Sequence, residues 1–447
     1  MWTGFGPYDE ATQGPRSKTL WDWLELLIVP TALGVGAVIF QYLENRRERQ
    51  WREELNQQRI FDEYMDDISK VLSQQALDEL VDDHKKRLLL SAQTASVLNR
   101  LLLERKLAIL QFLHQANLIT VRRPWVTDSE ERKSGRSIIT LRNAILNNVD
   151  LTAVGRYELI YNIDLSESNL RSANMNNTRI SDCFLQEAEL TRINLQESEI
   201  DKHCSFHNAN MEGANLSYSR ISGAGFLGCI LRTADLRHAN IEEAYFGDAD
   251  LTRIKAQNAI IKNSDFRRAD CTEAKFIGAD MENAHLQETI FKSADLSRAN
   301  LVNAMLTVPD FSDANLKEAN LSNSEVWVPS FLGSTLCTME NASLQHAKLD
   351  NALLIYTNLK NTKANGATFV QADLSNADLS DSDLRSTNFT SANLQDANLQ
   401  GANLSSAILK DADLRHANLT NANLRGVDLS KAKLAGAIMP DGQVYES

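Results

Sequence analysis

Apolar residues recur at every fifth position over most of this chain. Neither a helix with a period of 3.6 nor a strand with a period of 2 produces that spacing. From Phe206 to Leu336 all 27 fifth positions are apolar, beginning Phe206, Met211, Leu216, Ile221, Phe226 and Leu231. Two residues before each stands a small one, with the single exception of Ile254, and it is Ala at 17 of the 27 positions. Asp or Asn often sits between, as in Ala234-Asp235-Leu236 and Ala299-Asn300-Leu301. A short repeat held this long predicts a solenoid, in which stacked neighbours bury a core that one unit cannot.

The repeat also encodes its cross-section. Phe occupies the large position at 206, 226, 246 and 266, then at 291, 311 and 331, then at 369 and 389. Within each series the Phe returns every fourth unit. Four units of five per coil would place Phe206, Phe226, Phe246 and Phe266 above one another as a core ladder. The large residue and the small one two before it then point inward, and the other three positions face out or turn corners. The spacing is nine from Leu151 to Ile160, six from Ile200 to Phe206 and eight from Leu336 to Leu344. A one-residue insertion can be absorbed as a bulge, whereas a longer one must protrude as a loop. The array amounts to about 15 coils, a rod about 70 Å long at the spacing of neighbouring strands.

Runs such as Ala392-Asn393-Leu394-Gln395-Asp396-Ala397-Asn398-Leu399 resemble the pentapeptide-repeat family, whose consensus is Ala-Asp/Asn-Leu-x-x. The resemblance covers about two-thirds of the chain. It implies a mainly β fold, a right-handed quadrilateral β-helix. The family includes DNA-mimicking topoisomerase inhibitors and many proteins of unknown role, so the fold does not decide the function.

The amino-terminal part has a different pattern. Leu26 to Leu43 carries no charge. A run of that length, about 18 residues, meets the requirement for a spanning helix. The other reading is a buried core helix; a cleaved signal peptide fits less well, because no small-residue cleavage site follows. Trp21, Trp23 and Tyr42 would lie at the interfaces. Arg46, Arg47, Arg49 and Arg52 follow the run, against Arg16 and Lys18 before it. The excess of positive charge predicts a single-pass membrane protein with its N-terminus outside and the repeat domain in the cytoplasm, with the lipid bilayer as one partner. Ala32-x-x-x-Gly36 is a small-residue pair that could let two spans approach.

After this run the chain reads as helical. Phe61, Met65, Ile68 and Leu72 form a short amphipathic stripe. Leu98, Leu101, Leu102, Leu110 and Leu113 form a broader apolar face, suited either to an intramolecular three-helix core or to a coiled coil. Phe61-Asp62-Glu63-Tyr64 and Glu104-Arg105-Lys106 with Gln111-Phe112-Leu113 look similar to the helical segment of membrane-anchored pentapeptide-repeat proteins of cyanobacterial type. The expected organisation is a flexible tail at 1–19, a transmembrane helix at 20–43, a helical connector at 44–118, a linker at 119–136, the β-helix at 137–440 and a tail at 441–447. That last tail is too short for a covering helix, so the final coil is expected to be partly open. The small-residue pair and the stripe together suggest a homo-oligomer through residues 20–118.

Charge and chemistry narrow the function. Of the net charge of -13, residues 1–140 contribute -1 (19 basic, 20 acidic) and the rest -12 (27 basic, 39 acidic). An acidic rod repels nucleic acid and suits basic partners. Cys183, Cys204 and Cys229 fall on the small beat and Cys271 on the large one, which suits burial as small hydrophobes rather than disulfides. His203-Cys204-x-x-His207 is the one His/Cys cluster, but its Cys points inward and its His outward, so no metal is expected. No nucleophile–base pair or phosphate-cradling loop is present, and neither catalytic residues nor a cofactor are expected. Val308-Pro309-Asp310-Phe311 recurs one coil later as Val328-Pro329-Ser330-Phe331. Val308, Trp327 and Val328 are therefore candidate contacts for an unknown protein partner, unless the loop after Leu336 folds over them. The sequence thus points to a non-enzymatic, membrane-anchored scaffold or protein-interaction module. A DNA-mimic inhibitor of a type II topoisomerase is the alternative.

Overall fold

The computed structural model describes residues 20–74, 77–119, 137–153, 160–161, 163–325 and 337–446. The tail at 1–19, most of the linker at 119–136, and Trp327, Val328, Phe331 and Leu336 lie outside them. The chain divides into two compact units, 1–71 and 72–447.

Helix α1, Leu20–Gln74, runs without a break through Pro30 and through the boundary expected at residue 44. The single-pass expectation is overturned. Among the described residues no helix is long and apolar enough to cross a membrane. The same helix then carries Glu44, Arg46, Arg47, Glu48 and Arg49. With the span falls the orientation drawn from it, N-terminus outside and repeats in the cytoplasm. Farther along α1 the buried residues are Ile60, Tyr64 and Ile68. Of the expected stripe only Ile68 is fully covered; Phe61, Met65 and Leu72 are half-buried.

Three shorter helices follow: α2 (Leu77–Asp82), α3 (His84–Arg100) and α4 (Leu103–Gln115). Asp83 caps α3 by accepting from the Lys86 amide, which satisfies one of the free donors at a helix start. Leu90, Leu98, Ile109, Leu110 and Leu113 are buried, whereas Leu102 is exposed. This segment does more than connect. The Ile139 amide donates to the Leu118 carbonyl at 2.8 Å, and the Thr140 amide to Ser91 Oγ at 2.9 Å. The Ile145 amide donates to Asn99 Oδ1 at 2.6 Å, and Lys106 Nζ to the Ile145 carbonyl at 2.6 Å. A first coil has no preceding coil to satisfy its backbone, and α3 and α4 supply those partners. Solenoids need such a cap at their ends.

From Leu141 the chain forms the β-helix. Each unit of five contributes a bridging residue, the large core residue, two turn residues and the small core residue. In one such unit these are Ile230, Leu231, Arg232, Thr233 and Ala234, and the Ala234 amide closes the turn on the Leu231 carbonyl at 3.0 Å. The second turn residue is left-handed, with φ of 57° at Thr233. That conformation favours Asn, Asp and Gly, which are frequent there. Between coils the Leu231 amide donates to the Asp250 carbonyl at 2.8 Å, and the Asp250 amide to the Cys229 carbonyl at 2.9 Å. Adjacent coils are thereby joined in parallel, most often at an interval of four units, as at Asp235 and Lys255. One face carries short parallel strands in sequence order: β1 (Ile160–Tyr161), β2 (Arg179–Ser181), β3 (Glu199–Ile200), β4 (Arg220–Ser222) and β5 (Asn240–Glu242).

The core consists of the two inward columns. Phe206, Phe226, Phe246 and Phe266 are buried and stack face to face, with centroids 4.9, 5.0 and 5.1 Å apart. Phe291 stacks on Phe311 at 5.0 Å and Phe369 on Phe389 at 5.1 Å. All five cysteines are free and buried.

The register shifts at three points, where Ile145 pairs with Asn169, Phe184 with Ser205 and Asp310 with Thr338. Each of these steps is longer than the regular interval of four units. The first two match the insertions read from the spacing. The third differs: the extra chain enters before Cys337, and the core resumes with the buried pair Cys337 and Met339. Spacing alone misplaced this insertion because Phe331 and Leu336 continue the apolar beat across it. At the far end the chain turns back. The Tyr445 amide donates to the Ala437 carbonyl and the Met439 amide to the Gln443 carbonyl, each at 2.7 Å. This hairpin covers one side of the last coil, while Leu424, Val427 and Leu429 stay half-exposed.

Candidate interaction surface

The outward positions decide what this rod can do. Asp and Asn at bridging positions are used first by the rod itself. Asp235 Oδ1 accepts from the Arg237 amide at 3.1 Å, and Asn300 Nδ2 donates to Asp280 Oδ1 of the preceding coil at 2.9 Å. Such side chains hold turns and link coils, so their regular spacing is not a catalytic pairing.

Part of the acidity is neutralised locally by arginine. Arg268 pairs with Asp248 at 2.6 Å, Arg253 with Glu273 at 2.8 Å, Arg385 with Asp383 at 2.7 Å and Arg415 with Asp413 at 2.8 Å. Hydrogen bonds from Arg268, Arg385 and Arg415 hold the carboxyls of Asp248, Asp383 and Asp413 below the usual aspartate range. Arginine pairs thus interrupt the acidity of the rod at intervals.

A cleft of about 350 Å³ runs over β2 to β5, lined by Arg179, Ser181, Glu199, Asp201, Arg220 and Glu242 among others. Glu199 lies between two arginines, 2.7 Å from Arg179 and 3.4 Å from Arg220. The Arg179 hydrogen bond lowers its pKa. Both guanidinium groups already have a carboxylate, so this is a surface ladder and not an anion site. The one-residue insertion lies at its edge. There the Ser181 hydroxyl donates to Asp201, and His203 Nδ1 stands 3.4 Å from Asp182. Cys204 is buried; its thiol is pushed far up by its hydrogen bond with Cys183 and by burial. His203 and His207 are exposed. No group of His, Cys, Asp or Glu among the described residues could hold a metal.

Exposed apolar side chains are unevenly spread. The face bridged through Asp164, Phe184, Ser205, Gly225, Tyr245, Asp265, His285 and Met305 and the turns that follow it display Phe184, Leu227, Tyr245, Met305, Val308 and Tyr356. The other three sides of the array between 163 and 440 show Tyr218, Ile260, Ile290 and Ile408. On the first face, Phe184 and Leu227 are each 42% exposed and Tyr245 is 54% exposed. Two glycines shape the surface. A Cβ on Gly225 would lie 2.5 Å from His207 Nε2, and one on Gly247 3.0 Å from Leu227 Cδ1. Glycine lets His207 and Leu227 lie close over the next coil, so Phe184, Leu227 and Tyr245, with the His207 imidazole between them, form a low step. Sequence reasoning passed over this patch, although its signal was present: large apolar residues at outward positions where the repeat favours polar ones.

The positions singled out from sequence are dispersed. The Phe206–Phe266 ladder lies inside the core. Val308 is 38% exposed, with φ of 56°, an uncommon conformation for a β-branched residue. Trp327 and Val328 lie outside the described residues. Tyr42, Arg46 and Arg47 are exposed on α1, and the side chains of Trp21 and Trp23 lie outside the described ones.

Comparison with known proteins bears on the repeat. A comparison with curated proteins gives no match. Among solved structures, the chain is similar to HetL, a pentapeptide repeat protein involved in heterocyst differentiation regulation from the cyanobacterium Nostoc sp. Strain PCC 7120. The identity is 32%, over 57% of this chain and 94% of that one, with a TM-score of 0.29. Rfr23 from the cyanobacterium Cyanothece 51142 is 30% identical over 27% of this chain and 63% of that one, with a TM-score of 0.17. Full-length QnrB1, a plasmid-mediated fluoroquinolone resistance protein, is 22% identical over 52% of this chain and 84% of that one, with a TM-score of 0.19. None of these likenesses carries a function across. The family model described as pentapeptide repeats (8 copies) matches residues 161–198, 202–323, 335–405 and 407–440 in overlapping segments. Those segments are more than half of the chain, and the chain belongs to the pentapeptide-repeat family.

Proposed function

We propose that the protein is a non-enzymatic interaction scaffold: a stiff rod that holds a partner protein along one side. The observation that carries this reading is the gathering of exposed apolar side chains on the face of Phe184, Tyr245 and Met305, on a rod where acids such as Asp248 and Asp413 are paired. Apolar side chains grouped on an otherwise polar surface mark contact sites. Val308 lies in a turn of the same face and belongs to the same proposal. Proteins of this family are typically structural or interaction modules. The DNA-mimic reading requires an uninterrupted run of negative charge, and the ion pairs along the rod count against it.

Site-specific photo-cross-linking tests the reading. A photoreactive residue at Tyr245 or Met305 is expected to give a discrete protein adduct in cells. The same residue at Ile260 or Ile290, on other faces, is expected to give none. Equal adducts from every face, or none from the first, would overturn it.

We further propose that the chain self-associates through residues 20–118. Helix α1 leaves Leu33, Val38, Ile39, Phe40 and Leu43 exposed, and a helix apolar on all sides needs cover. Light scattering should give an oligomer for the full chain and a lower mass for Leu33→Ser/Phe40→Ser; an unchanged mass would count against this interface.

A further inference from the structure

We propose that the apolar step from Phe184 to Tyr245 binds a protein segment that carries aliphatic or aromatic anchors flanked by Lys or Arg. This inference rests on the scaffold reading and names the chemistry of its partner.

The step has the makings of a contact centre. Phe184 and Tyr245 stand at bridging positions three coils apart along one face, about 14 Å at the spacing of neighbouring strands. Between them lie Ser205 and Gly225, with His207 and Leu227 laid flat beside them. A surface of this length takes about ten residues of helix. Partly free aromatic side chains beside a flat-lying aliphatic one are the type that dominates interface energetics.

Charge at its edges selects the partner. Glu187 lies in the turn at one corner, and Glu242 and Glu243 at the other. All three are exposed, and no ion pair involves them among the described residues. Asp248, in the turn after Tyr245, is by contrast taken by Arg268. Lys202 and His203 share the second corner, but His203 faces Asp182 at 3.4 Å and Asp201 at 3.8 Å, so that edge stays acidic. Exposed carboxylates this close to an apolar contact favour basic flanks and disfavour acidic ones.

The test uses the full-length chain and two short amphipathic peptides with the same Leu and Trp anchors, one flanked by Lys and Arg and one by Glu. Binding is read by fluorescence anisotropy at low and high salt. The basic-flanked peptide is expected to bind at least about tenfold more tightly, with the difference shrinking at high salt. Leu227→Ser/Tyr245→Ser should abolish that binding, while Ile260→Ser/Ile290→Ser should leave it. Glu187→Gln/Glu242→Gln/Glu243→Gln should remove the preference but keep the anchors' contribution. Matching thermal melts verify that each variant is folded. Equal binding of both peptides, or unchanged binding by Leu227→Ser/Tyr245→Ser, would overturn the proposal. If that variant keeps the cross-linked cellular partner, the rod remains a scaffold and this surface is the wrong one. If the peptide binds here but no first-face adduct forms in cells, the scaffold reading fails and the surface stands.

Discussion

Phe246 is buried between the rings of Phe226 and Phe266, so its removal leaves a cavity between coils. Phe246→Ala is expected to cost about 3–5 kcal/mol; a loss well under about 1 kcal/mol in denaturant unfolding would show that neighbouring coils can collapse. The paired carboxylates give a pH dependence with a defined sign. Asp248, Asp383 and Asp413 are held below their ordinary range by arginine hydrogen bonds, so the unfolded chain binds protons there more readily than the folded one. Their contribution is therefore present above the unfolded aspartate range, near about pH 4, and is lost as pH falls through the folded values. Because the arginines are exposed, such pairs contribute little to stability. Arg415→Gln should lower the melting temperature slightly at about pH 7 and flatten the decline between about pH 5 and 3. A decline as steep as that of the unmutated chain would rule out this linkage for Asp413.

At the scale of elements, the helices before the rod act as its end cap. Leu110 and Leu113 on α4 are buried, and Leu110 lines a small apolar cavity together with Leu141, Leu146 and Leu151 of the first coils. Leu113→Ala is expected to cost about 2–5 kcal/mol. Hydrogen exchange should place the loss in the first coils, near Ile145 and Leu146, rather than around Phe389. Uniform loss of protection along the rod would mean that it unfolds as one unit and the cap is merely its first part. The cap was only half legible in sequence. Its apolar positions were visible, but the polar groups that meet the first coil, Ser91, Asn99 and Lys106, look like ordinary surface residues until the coil is beside them.

At the scale of the whole molecule, the acidity of the rod is misleading as a total. The sequence carries a net charge of -13, yet many carboxylates are taken up by turns, by links between coils and by arginine partners. The full chain is expected to leave the supercoiling activity of a type II topoisomerase unaffected at equimolar concentration. Inhibition at that ratio would promote DNA mimicry over the scaffold reading. The single-pass topology read from the uncharged run did not survive either. Composition marks a stretch as apolar, but among the described residues no helix is long and apolar enough to span.

The beat of five was enough to determine the coil, its four sides, its inward columns and the stacking of Phe206 to Phe266. A repeat imposes the same geometry on every unit, and errors do not accumulate while it persists. The beat could not locate the third insertion, because Phe331 and Leu336 are apolar at the expected phase whether or not the coil uses them. Only pairing between coils decides that Asp310 meets Thr338. The candidate surface was likewise beyond the linear reading. Phe184, His207, Leu227 and Tyr245 come from four successive coils, and they share a face because each coil returns the chain to the same side. Whether an outward residue stands free, lies flat on a glycine or is held by an arginine depends on the coil next to it. That neighbour is distant along the chain, and the tertiary stack alone brings it into contact.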